Sequence, residues 1–263
     1  MTVTDASLEA IANLRDLGGH HLRDGGRVRG GVAYRSAELS SDAGAEALAE
    51  LGVRVVFDLR TDAEREQRPD RLPRGVRHVV ADVLSSAGPE ASPATLMTLI
   101  RDPAAADALL GRGGSARLFR EKYREFVTLP SAQQAYHRLF TQLANGQDGP
   151  LLFHCTTGKD RTGWAAAALL LFLGVEEDEV RADYLASNDA VRGMVSPMLA
   201  AFAAAGGDPD LMEPFAYVRE EYLDAAMSDV RSTFGSFDAY FDRGLSMDDG
   251  ARSALRARLV DRA

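Results

Sequence analysis

Cysteine is almost absent from this chain of 263 residues, which contains only one, Cys155. A single cysteine excludes an internal disulfide and a zinc site built from several thiolates. Basic residues are also in deficit, because 30 lysines and arginines stand against 39 acidic residues and the net charge is -9. This balance disfavours general nucleic-acid binding, which needs a basic face to neutralise phosphates.

Long apolar runs, internal repeats, coiled-coil heptads and low-complexity tails are missing as well. No run reaches the length of a membrane-spanning helix, and residues 1–16 lack the apolar core of a secretory signal. We therefore expect a cytoplasmic protein, with export of the folded chain by a signal-less route as the alternative. Hydrophobic residues make up 46% of the chain, which is sufficient to form one substantial core. We therefore predict a single domain over residues 1–263. Nothing in the sequence indicates the oligomeric state.

Strand and helix patterns alternate along the chain. Strands are predicted at 53–57, 76–80 and 150–154, helices at 42–51, 61–67 and 164–173, and a hairpin at 24–31. This alternation predicts an α/β fold, with a central, mostly parallel sheet flanked by helices and ligands bound beyond the carboxyl ends of its strands. Asp58, Asp82 and Cys155 follow such ends, so we expect these three side chains to meet at one edge.

The segment that starts at Phe153 reads FHCTTGKDRTG and places Cys155 six residues before Arg161. It lies between a predicted strand and a predicted helix. The unpaired N–H groups of a helix's first turn, at the positive end of the helix dipole, favour anions and also stabilise a thiolate. We therefore predict that Cys155 is a nucleophile near neutral pH and that Arg161 binds two phosphate oxygens with its planar fork of donors.

The neighbours of these two residues have supporting roles. Gly158 relieves crowding where the loop curls around an anion, and Gly163 lets the helix pack closely against its strand. Thr162 is predicted to point its hydroxyl at the Cys155 sulfur, and His154 to hold the shape of the loop by hydrogen bonds. The predicted phosphate-binding residues are Thr156, Thr157, Gly158, Lys159, Asp160 and Arg161.

Two other interpretations of this segment are weaker. A lone cysteine is usually a small apolar core residue, but here each neighbour has a phosphate-binding role. A nucleotide-binding Walker loop around Gly158 and Lys159 needs a glycine five residues earlier and a serine or threonine after the lysine. Phe153 and Asp160 occupy those places, which excludes the Walker loop.

The segment resembles the loop of the cysteine-dependent protein tyrosine phosphatases, in particular their bacterial tyrosine/lipid phosphatase branch. Further similar segments are NLRDLGG at 13–19, YRS at 34–36, FDLR at 57–60, residues 184–188 and VREEYL at 218–223, so the resemblance spans nearly the whole chain. It implies a phosphatase-like α/β fold, no metal or other cofactor, and hydrolysis of phosphate monoesters in two steps through a phosphocysteine.

Such a reaction needs a group that protonates the leaving oxygen and later takes a proton from water. Asp82 is the first candidate, because the family places its general acid on a comparable loop; the alternative is that Asp82 only caps a turn. Asp160 is the rival, since a carboxylate inside an anion-binding loop is electrostatically costly and needs a reason.

The expected substrates are phosphotyrosine proteins first, phosphoinositides second and a small phosphorylated metabolite third. The phosphoinositide expectation follows from the resemblance. Loops with a Lys-Asp pair, as at Lys159 and Asp160, resemble those of lipid phosphatases, where Lys159 would contact a second phosphate. A binding module that captures phosphorylated partners without turnover is the alternative of a different class.

Three arginines outside the loop have two possible roles. Arg15, Arg35 and Arg60 either add to the positive field of the site or pair with Asp16, Asp58 or Glu38; for Arg35 and Arg60 we favour pairing.

Two segments are predicted elaborations, at residues 85–115 and 194–215, bounded by glycine and proline. Either would be an ordinary surface element or a movable cover over the site that excludes water. The C-terminal part is predicted to be helical, with an apolar stripe formed by Phe215, Val218, Tyr222, Ala226 and Val230.

Overall fold

The computed structural model of the chain describes residues 10–88, 102–111 and 113–261. The strands of this part are β1 (Arg15–Asp16), β2 (Arg27–Val28), β3 (Ala33–Ser36), β4 (Val55–Asp58), β5 (Arg77–Val80), β6 (Leu151–His154) and β7 (Val260–Asp261). The helices described over their whole length are α1 (Asp42–Glu50), α2 (Asp62–Gln67), α3 (Pro103–Leu110), α4 (Gly114–Thr128), α5 (Pro130–Asn145), α6 (Arg161–Leu173), α7 (Glu177–Ala204), α8 (Pro209–Ala216), α9 (Glu220–Phe234), α10 (Phe237–Ala239) and α11 (Asp249–Leu259), and a π-helical turn at Tyr240–Gly244 follows α10.

One five-stranded sheet, in the order β1-β3-β6-β4-β5, forms the centre of the fold. All neighbouring pairs are parallel except β1 and β3, so the predicted α/β class with a mostly parallel sheet is confirmed. The register places Ser36, His154, Asp58 and Val80 side by side at the carboxyl ends of the parallel strands. The loops that follow these strands therefore leave at one edge, where sheets of this kind bind ligands.

Both faces of the two central strands are buried, in agreement with their continuous apolar sequences. Val55 and Phe57 of β4 belong to a large core with α4, α5, α6 and α9. Val56, between them, belongs to a second core on the other face, with α1 and Leu152 of β6. Each fully buried side chain of this size contributes roughly 1.5–3 kcal/mol, so the two cores hold β4 and β6 firmly in place.

The predicted boundaries near the site are right to within a few residues. Ser41 and Thr61 cap the N-termini of α1 and α2 with their side chains. The helix expected from residue 164 begins earlier, at Arg161, directly after the loop that follows Cys155. Gly174, with a φ of 99°, ends this helix as predicted.

The predicted hairpin at 24–31 is only partly right. His21 and Arg27 form an isolated antiparallel bridge across a tight turn. However, β2 itself pairs with β7 near the other end of the chain. The sequence around residue 24 carries the turn signal but no information about this distant partner.

The two predicted elaborations contact each other. Residues 89–101 and 112 of the segment 85–115 lie outside the described residues, but the segment's described part contains α3. The segment 194–215 consists of the end of α7, a break at Gly206 and Gly207, and most of α8. An apolar cluster joins them and contains Ala106, Leu110, Phe202, Met212 and Phe215. The movable cover stays a prediction.

The C-terminal helices close the large core. The predicted apolar stripe is confirmed, because Phe215, Val218, Tyr222, Ala226 and Val230 are all buried. Within the described ranges, no helix combines the length and the apolar character that crossing a bilayer requires.

Candidate active site

Cys155 lies directly after β6, at the carboxyl edge of the sheet. The loop continues to Asp160, and α6 begins at Arg161. Cys155 is 1% exposed and close enough to Arg161 and Arg35 to interact with both charges. Cys155 thus lies between a strand and a helix N-terminus, the arrangement in which an anion site is expected.

Groups from other segments bind the carbonyl oxygens of the loop. The contacts are Glu38 N–H to Thr156 O at 3.1 Å, Asn13 Nδ2 to Thr157 O at 2.9 Å and Arg35 Nη2 to Gly158 O at 2.8 Å. Asn13, Arg35 and Glu38 belong to or adjoin the N-terminal motifs at 13–19 and 34–36. These motifs therefore fix which way the peptide groups of the loop face.

The backbone N–H groups of residues 156–160, unlike the carbonyl oxygens of the same loop, have no hydrogen-bond partners among the described residues. A run of backbone donors with no partner in the protein can accept an anion as its ligand. The phosphate-binding role of residues 156–161 stays a prediction, which these free donors support.

Gly158 is the point at which the loop passes closest to β3. Its φ is +70°, and a Cβ atom there would lie 2.2 Å from the carbonyl oxygen of Ser36. We expect Gly158→Ala to destabilise the protein by about 3 kcal/mol or more, because a strained φ and a backbone clash add together. Urea unfolding of the variant measures this loss.

Gly235 is the matched control for that variant. Its φ is +88°, but no atom lies within 4 Å of an added Cβ. Gly235→Ala should cost only about 1–2 kcal/mol, the contribution of the left-handed backbone alone. Equal losses in the two variants would show that the contact with β3 contributes nothing.

Glu64 of α2 holds Arg161, and the sequence analysis missed it. Arg161 donates from Nη1 to Oε2 at 2.8 Å and from Nη2 to Oε1 at 2.6 Å. Burial opposes ionisation of Glu64, but the charge and hydrogen bonds of Arg161 outweigh it and lower the pKa of this carboxyl. The Thr156 hydroxyl donates to the same carboxylate. The guanidinium plane is therefore fixed before any ligand binds.

One sequence signal was available for Glu64. Thr61 and Glu64 form a capping box at the start of α2, which the Thr-x-x-Glu pattern indicates. The pattern predicts a helix start, but it contains no information about a partner 97 residues away.

Arg60 pairs as predicted. Its guanidinium lies 2.7 Å from Asp58 and 3.3 Å from Glu38, and it also contacts Asp70 at 2.8 Å. The register places Asp58 at the predicted edge, beside His154 and Val80, but both of its oxygens accept hydrogen bonds from Arg60. Asp58 and Arg60 thus form a buried ion pair at the carboxyl edge of the sheet.

For Arg35 the predicted partners are wrong. The fully buried Arg35 pairs with Asp183 of α7 at 2.7 Å, and Arg15 contacts the same carboxylate at 2.9 Å. Burial and then the nearby Arg15 charge lower the pKa of Arg35 to about 10. Arg35 thus links α7 to the loop, since its other amino group binds the Gly158 carbonyl.

One group of side chains has a composition that suits a metal ion. Ligating atoms of Asp58, Asp70 and His78 lie within 4.8 Å of one another, in the described part of the chain. Arg60 already bonds to both carboxylates. Its charge supplies the neutralisation that a metal would otherwise provide.

Asp82, the first candidate for the general acid, lies in the loop after β5. One of its oxygens accepts the Leu84 N–H at 2.8 Å, and Arg161 is close enough to act on its charge. Burial raises the pKa of Asp82 above its usual value, although the Leu84 N–H and Arg161 oppose the shift. A carboxyl with a raised pKa stays protonated to higher pH, as a proton donor requires.

Asp160, the rival candidate, is fully engaged. The Tyr123 hydroxyl donates to one oxygen at 3.0 Å and the Lys159 ammonium to the other at 2.6 Å. Lys159 is 3% exposed and lies 5.4 Å from the ring centroid of Phe119. Lys159, predicted to contact a second phosphate, thus forms an ion pair inside the loop in this structure.

The predicted contact of Thr162 is absent from the structure, whereas those of His154 fit its predicted role. Thr162 is buried, and its hydroxyl has no hydrogen-bond partner among the described residues, so the predicted bond to sulfur is not formed. His154 contacts the Cys155 carbonyl through Nδ1 at 3.1 Å and Asp70 through Nε2 at 3.0 Å. These contacts agree with its predicted part in holding the shape of the loop.

Comparison with known proteins extends these observations. The sequence model of the tyrosine phosphatase family matches residues 6–261. A protein of Cupriavidus necator with a provisional tyrosine-protein phosphatase name is 36% identical over 248 residues, which are 93% of this chain and 85% of that protein. The triple specificity protein phosphatase PtpB of Mycobacterium tuberculosis is 35% identical over 246 residues, 83% of this chain and 88% of its own.

A similar solved structure is that of P. aeruginosa TpbA in complex with pTyr. It is 20% identical, covers 84% of this chain and 96% of its own, and has a TM-score of 0.34. The family match includes every segment on which the resemblance was based, from 13–19 to 218–223. The predicted enzyme class, a protein-tyrosine-phosphatase, is confirmed by this match and by the named relatives. The chain belongs to the tyrosine phosphatase family.

Proposed function

We propose that the protein hydrolyses phosphate monoesters, with phosphotyrosine in proteins as its first substrate class, through a phosphocysteine on Cys155. One observation carries the proposal: the N–H groups of residues 156–160, in the loop that follows the buried Cys155, donate to no described residue, and the loop leads to an arginine held in place by Glu64. A phosphoryl group supplies the acceptors that these donors lack. Membership of the family supports the same chemistry.

In the first step the Cys155 thiolate attacks phosphorus in line with the leaving oxygen. The S–P bond forms as the P–O bond breaks, and the electron pair of that bond goes to the leaving oxygen, which takes the proton of Asp82. Arg161 and the loop N–H groups bind the three equatorial oxygens. Such a loose transition state gains mostly from positioning and charge stabilisation.

In the second step water attacks the phosphocysteine. The Asp82 carboxylate takes a proton from the water as its oxygen bonds to phosphorus, and the S–P bond breaks. The thiolate is re-formed and inorganic phosphate leaves. Asp82 is then protonated again and ready for the next substrate.

Asp82→Ala is expected to lower kcat about 10²- to 10³-fold for phenyl phosphate, whose leaving oxygen needs a proton. For p-nitrophenyl phosphate the loss should be much smaller. In the unaltered protein kcat should fall as pH rises through the pKa of Asp82, which burial has raised, and the variant should lose this fall. Profiles of kcat against pH for both substrates measure these effects.

Asp160→Ala is the matched control, since it removes a second carboxylate from the same site. We expect it to free Lys159 and Tyr123 and to lower kcat for both substrates alike. If Asp160→Ala alone removed the dependence on the leaving group, Asp160 would be the acid and Asp82 would only cap its turn.

A phosphoinositide headgroup is the second candidate substrate. Two observations favour it: Lys159 and Asp160 occupy the loop, and one relative with 35% identity is named a triple specificity phosphatase. Measuring kcat/KM for a phosphotyrosine peptide, a phosphoinositide and a small sugar phosphate ranks the three classes directly.

Rapid mixing with substrate followed by acid quenching tests the reaction itself. We expect a phosphoryl group on the peptide that contains Cys155, formed within one turnover and lost as phosphate appears. Ligand capture with neither phosphate release nor a phosphocysteine would instead identify a binding module.

A further inference from the structure

A groove runs along the first half of α5 and ends beside Asp82. Its larger part has a volume of about 570 Å³ and lies between α5, the loop after β5 and the loop after the π-helical turn. A smaller part, of about 110 Å³, is lined by Asp82 itself. Ser85, Ser131 and Gln134 line both parts, so the two form one depression. Because the charge of Arg161 acts on Asp82, the groove adjoins the proposed site of reaction.

The lining of the larger part is polar but holds no lysine, arginine or carboxylate among the described residues. The polar residues that line it carry hydroxyl, amide and imidazole groups, and they include Ser85, Ser86, Ser131, Gln134, His137 and Ser246. A second phosphate would find no permanent cation there, and burying an unpaired charge is costly. Hydroxyl and amide groups both donate and accept hydrogen bonds, which suits an uncharged polar ligand.

Three polar groups of this lining are free to bind a ligand. His137 Nδ1 lies 2.7 Å from the carbonyl oxygen of Leu245. A carbonyl oxygen only accepts, so Nδ1 carries the hydrogen and Nε2 of the neutral ring is left as an acceptor. This Nε2, the Gln134 amide and the Ser246 hydroxyl form no hydrogen bond within the described ranges. Donors and acceptors are therefore available along the groove.

The backbone at Ser246 is strained. Its φ is +52°, a left-handed conformation that residues other than glycine rarely adopt. The turn before it, Tyr240–Gly244, is π-helical, a rare form that occurs frequently at functional sites. The other non-glycine residue with a positive φ in the described part of the chain is Asn13, which holds the loop after Cys155. Strain of this kind clusters at binding sites, and here it places Ser246 at the wall of the groove.

The shape of the groove favours an extended chain over an enclosed small molecule. Ser85, Ser86, Gln134 and Ser246 are exposed, so solvent reaches the groove along its length. Sites for small molecules bury about 70–90% of the ligand surface, which an open groove cannot do. A peptide presents an N–H and a C=O group at almost every residue, and these can pair with amides and hydroxyls along a line. The end at Asp82 is where residues next to a phosphotyrosine would enter.

We propose that this groove binds the residues of a protein substrate that adjoin the phosphotyrosine, that it prefers uncharged polar side chains, and that Gln134 and Ser246 determine this specificity. The inference rests on the proposed function. It identifies a part of the substrate beyond the phosphoryl group that the protein recognises, which neither the motifs nor the family match assigns.

Gln134→Lys tests the proposal by placing a charge in the groove. Two phosphotyrosine peptides that differ only in the flanking residues, glutamates in one and lysines in the other, are compared by kcat/KM at low salt. We expect the variant to raise the preference for the glutamate peptide about fivefold or more above that of the unaltered protein, because opposite charges then attract. An unchanged preference overturns the proposal.

Gln147→Lys is the matched control, since it makes the same change at an exposed glutamine just after α5 that does not line the groove. Any long-range effect of net charge appears in both variants. Equal shifts in the two overturn the proposal in favour of a general charge effect.

A second experiment removes two free groups of the groove with the double change Gln134→Ala and Ser246→Gly. The fold should be kept, because Gln134 is exposed and glycine adopts a positive φ without strain. We expect kcat/KM for a peptide with serine and asparagine beside the phosphotyrosine to fall about tenfold relative to that for p-nitrophenyl phosphate, since two hydrogen bonds are lost. A ratio that stays within about twofold overturns the proposal. An equal relative loss for a soluble inositol phosphate also overturns it, because the groove would then bind a polyol.

The proposed function and this inference can fail separately. A peptide with a phosphonate in place of the phosphate binds without turnover, so its Kd tests the groove even if no phosphocysteine forms. A Kd raised about tenfold by the double change then supports the inference alone. If the phosphotyrosine peptide is hydrolysed through a phosphocysteine and neither experiment shows the expected change, the inference fails and the function stands.

Discussion

Replacing Cys155 by serine is expected to lower kcat about 10⁵-fold or more while leaving phosphorylated ligands bound. A serine hydroxyl is not ionised near neutral pH, so the cradle then holds an acceptor with no nucleophile to attack it. The N–H groups of residues 156–160 and the Arg161 fork are unaltered by the change. Turnover of p-nitrophenyl phosphate and the Kd for a phosphotyrosine peptide measure the two effects.

Cys155→Ala is the matched variant, because it removes both the sulfur and the hydroxyl. It should show the same loss of turnover, which excludes slow attack by the serine. Phosphate release by Cys155→Ser within about tenfold of the unaltered protein would exclude a covalent path through this residue, whatever the rest of the cradle does.

Arg161→Lys is expected to lower kcat/KM about 10³-fold, although the charge is retained. Lysine is a point charge with no planar fork, so it cannot bind two phosphate oxygens and both Glu64 oxygens in the observed geometry. The loss should be mostly in kcat, since the fork bonds best to the charge that develops in the transition state. Steady-state kinetics with p-nitrophenyl phosphate measure it.

Two other variants help to interpret the result for Arg161→Lys, one as a control and one as a test of the carboxylate that holds Arg161. Arg77→Lys alters an exposed arginine paired with Asp148 and should leave kcat/KM unchanged. Glu64→Gln keeps the shape of the partner of Arg161 but removes its charge, and a guanidinium that is less firmly held should cost about 10²-fold. If Arg161→Lys retained activity within tenfold, the two-point binding of the phosphoryl group would be wrong.

Some of the fold was predictable because its signals are local. The apolar runs at 53–57 and 150–154 became β4 and β6, and Gly174 ended α6 at the predicted place. The hairpin at 24–31 failed for the opposite reason, since β2 pairs with β7, and no pattern near residue 24 indicates a strand at residue 260.

In the candidate site, too, the features with local sequence signals were predicted and those that depend on distant segments were not. The cradle from Cys155 to Arg161 was predicted residue by residue, since each position acts within one strand, loop and helix turn. The residues that hold it were missed or misassigned: Glu64 was overlooked, and Arg35 was given partners other than Asp183. These ion pairs join residues 97 and 148 positions apart, so they exist only once α2 and α7 pack against the loop.

The sequence by itself determined the α/β class and the strand, loop and helix start that contain Cys155 and Arg161, because these signals are local. Tertiary structure alone decided which carboxylates hold the arginines and that Asp70 lies 3.0 Å from His154. The physical reason is that a buried charge must find a partner, and which one it finds depends on how distant segments pack.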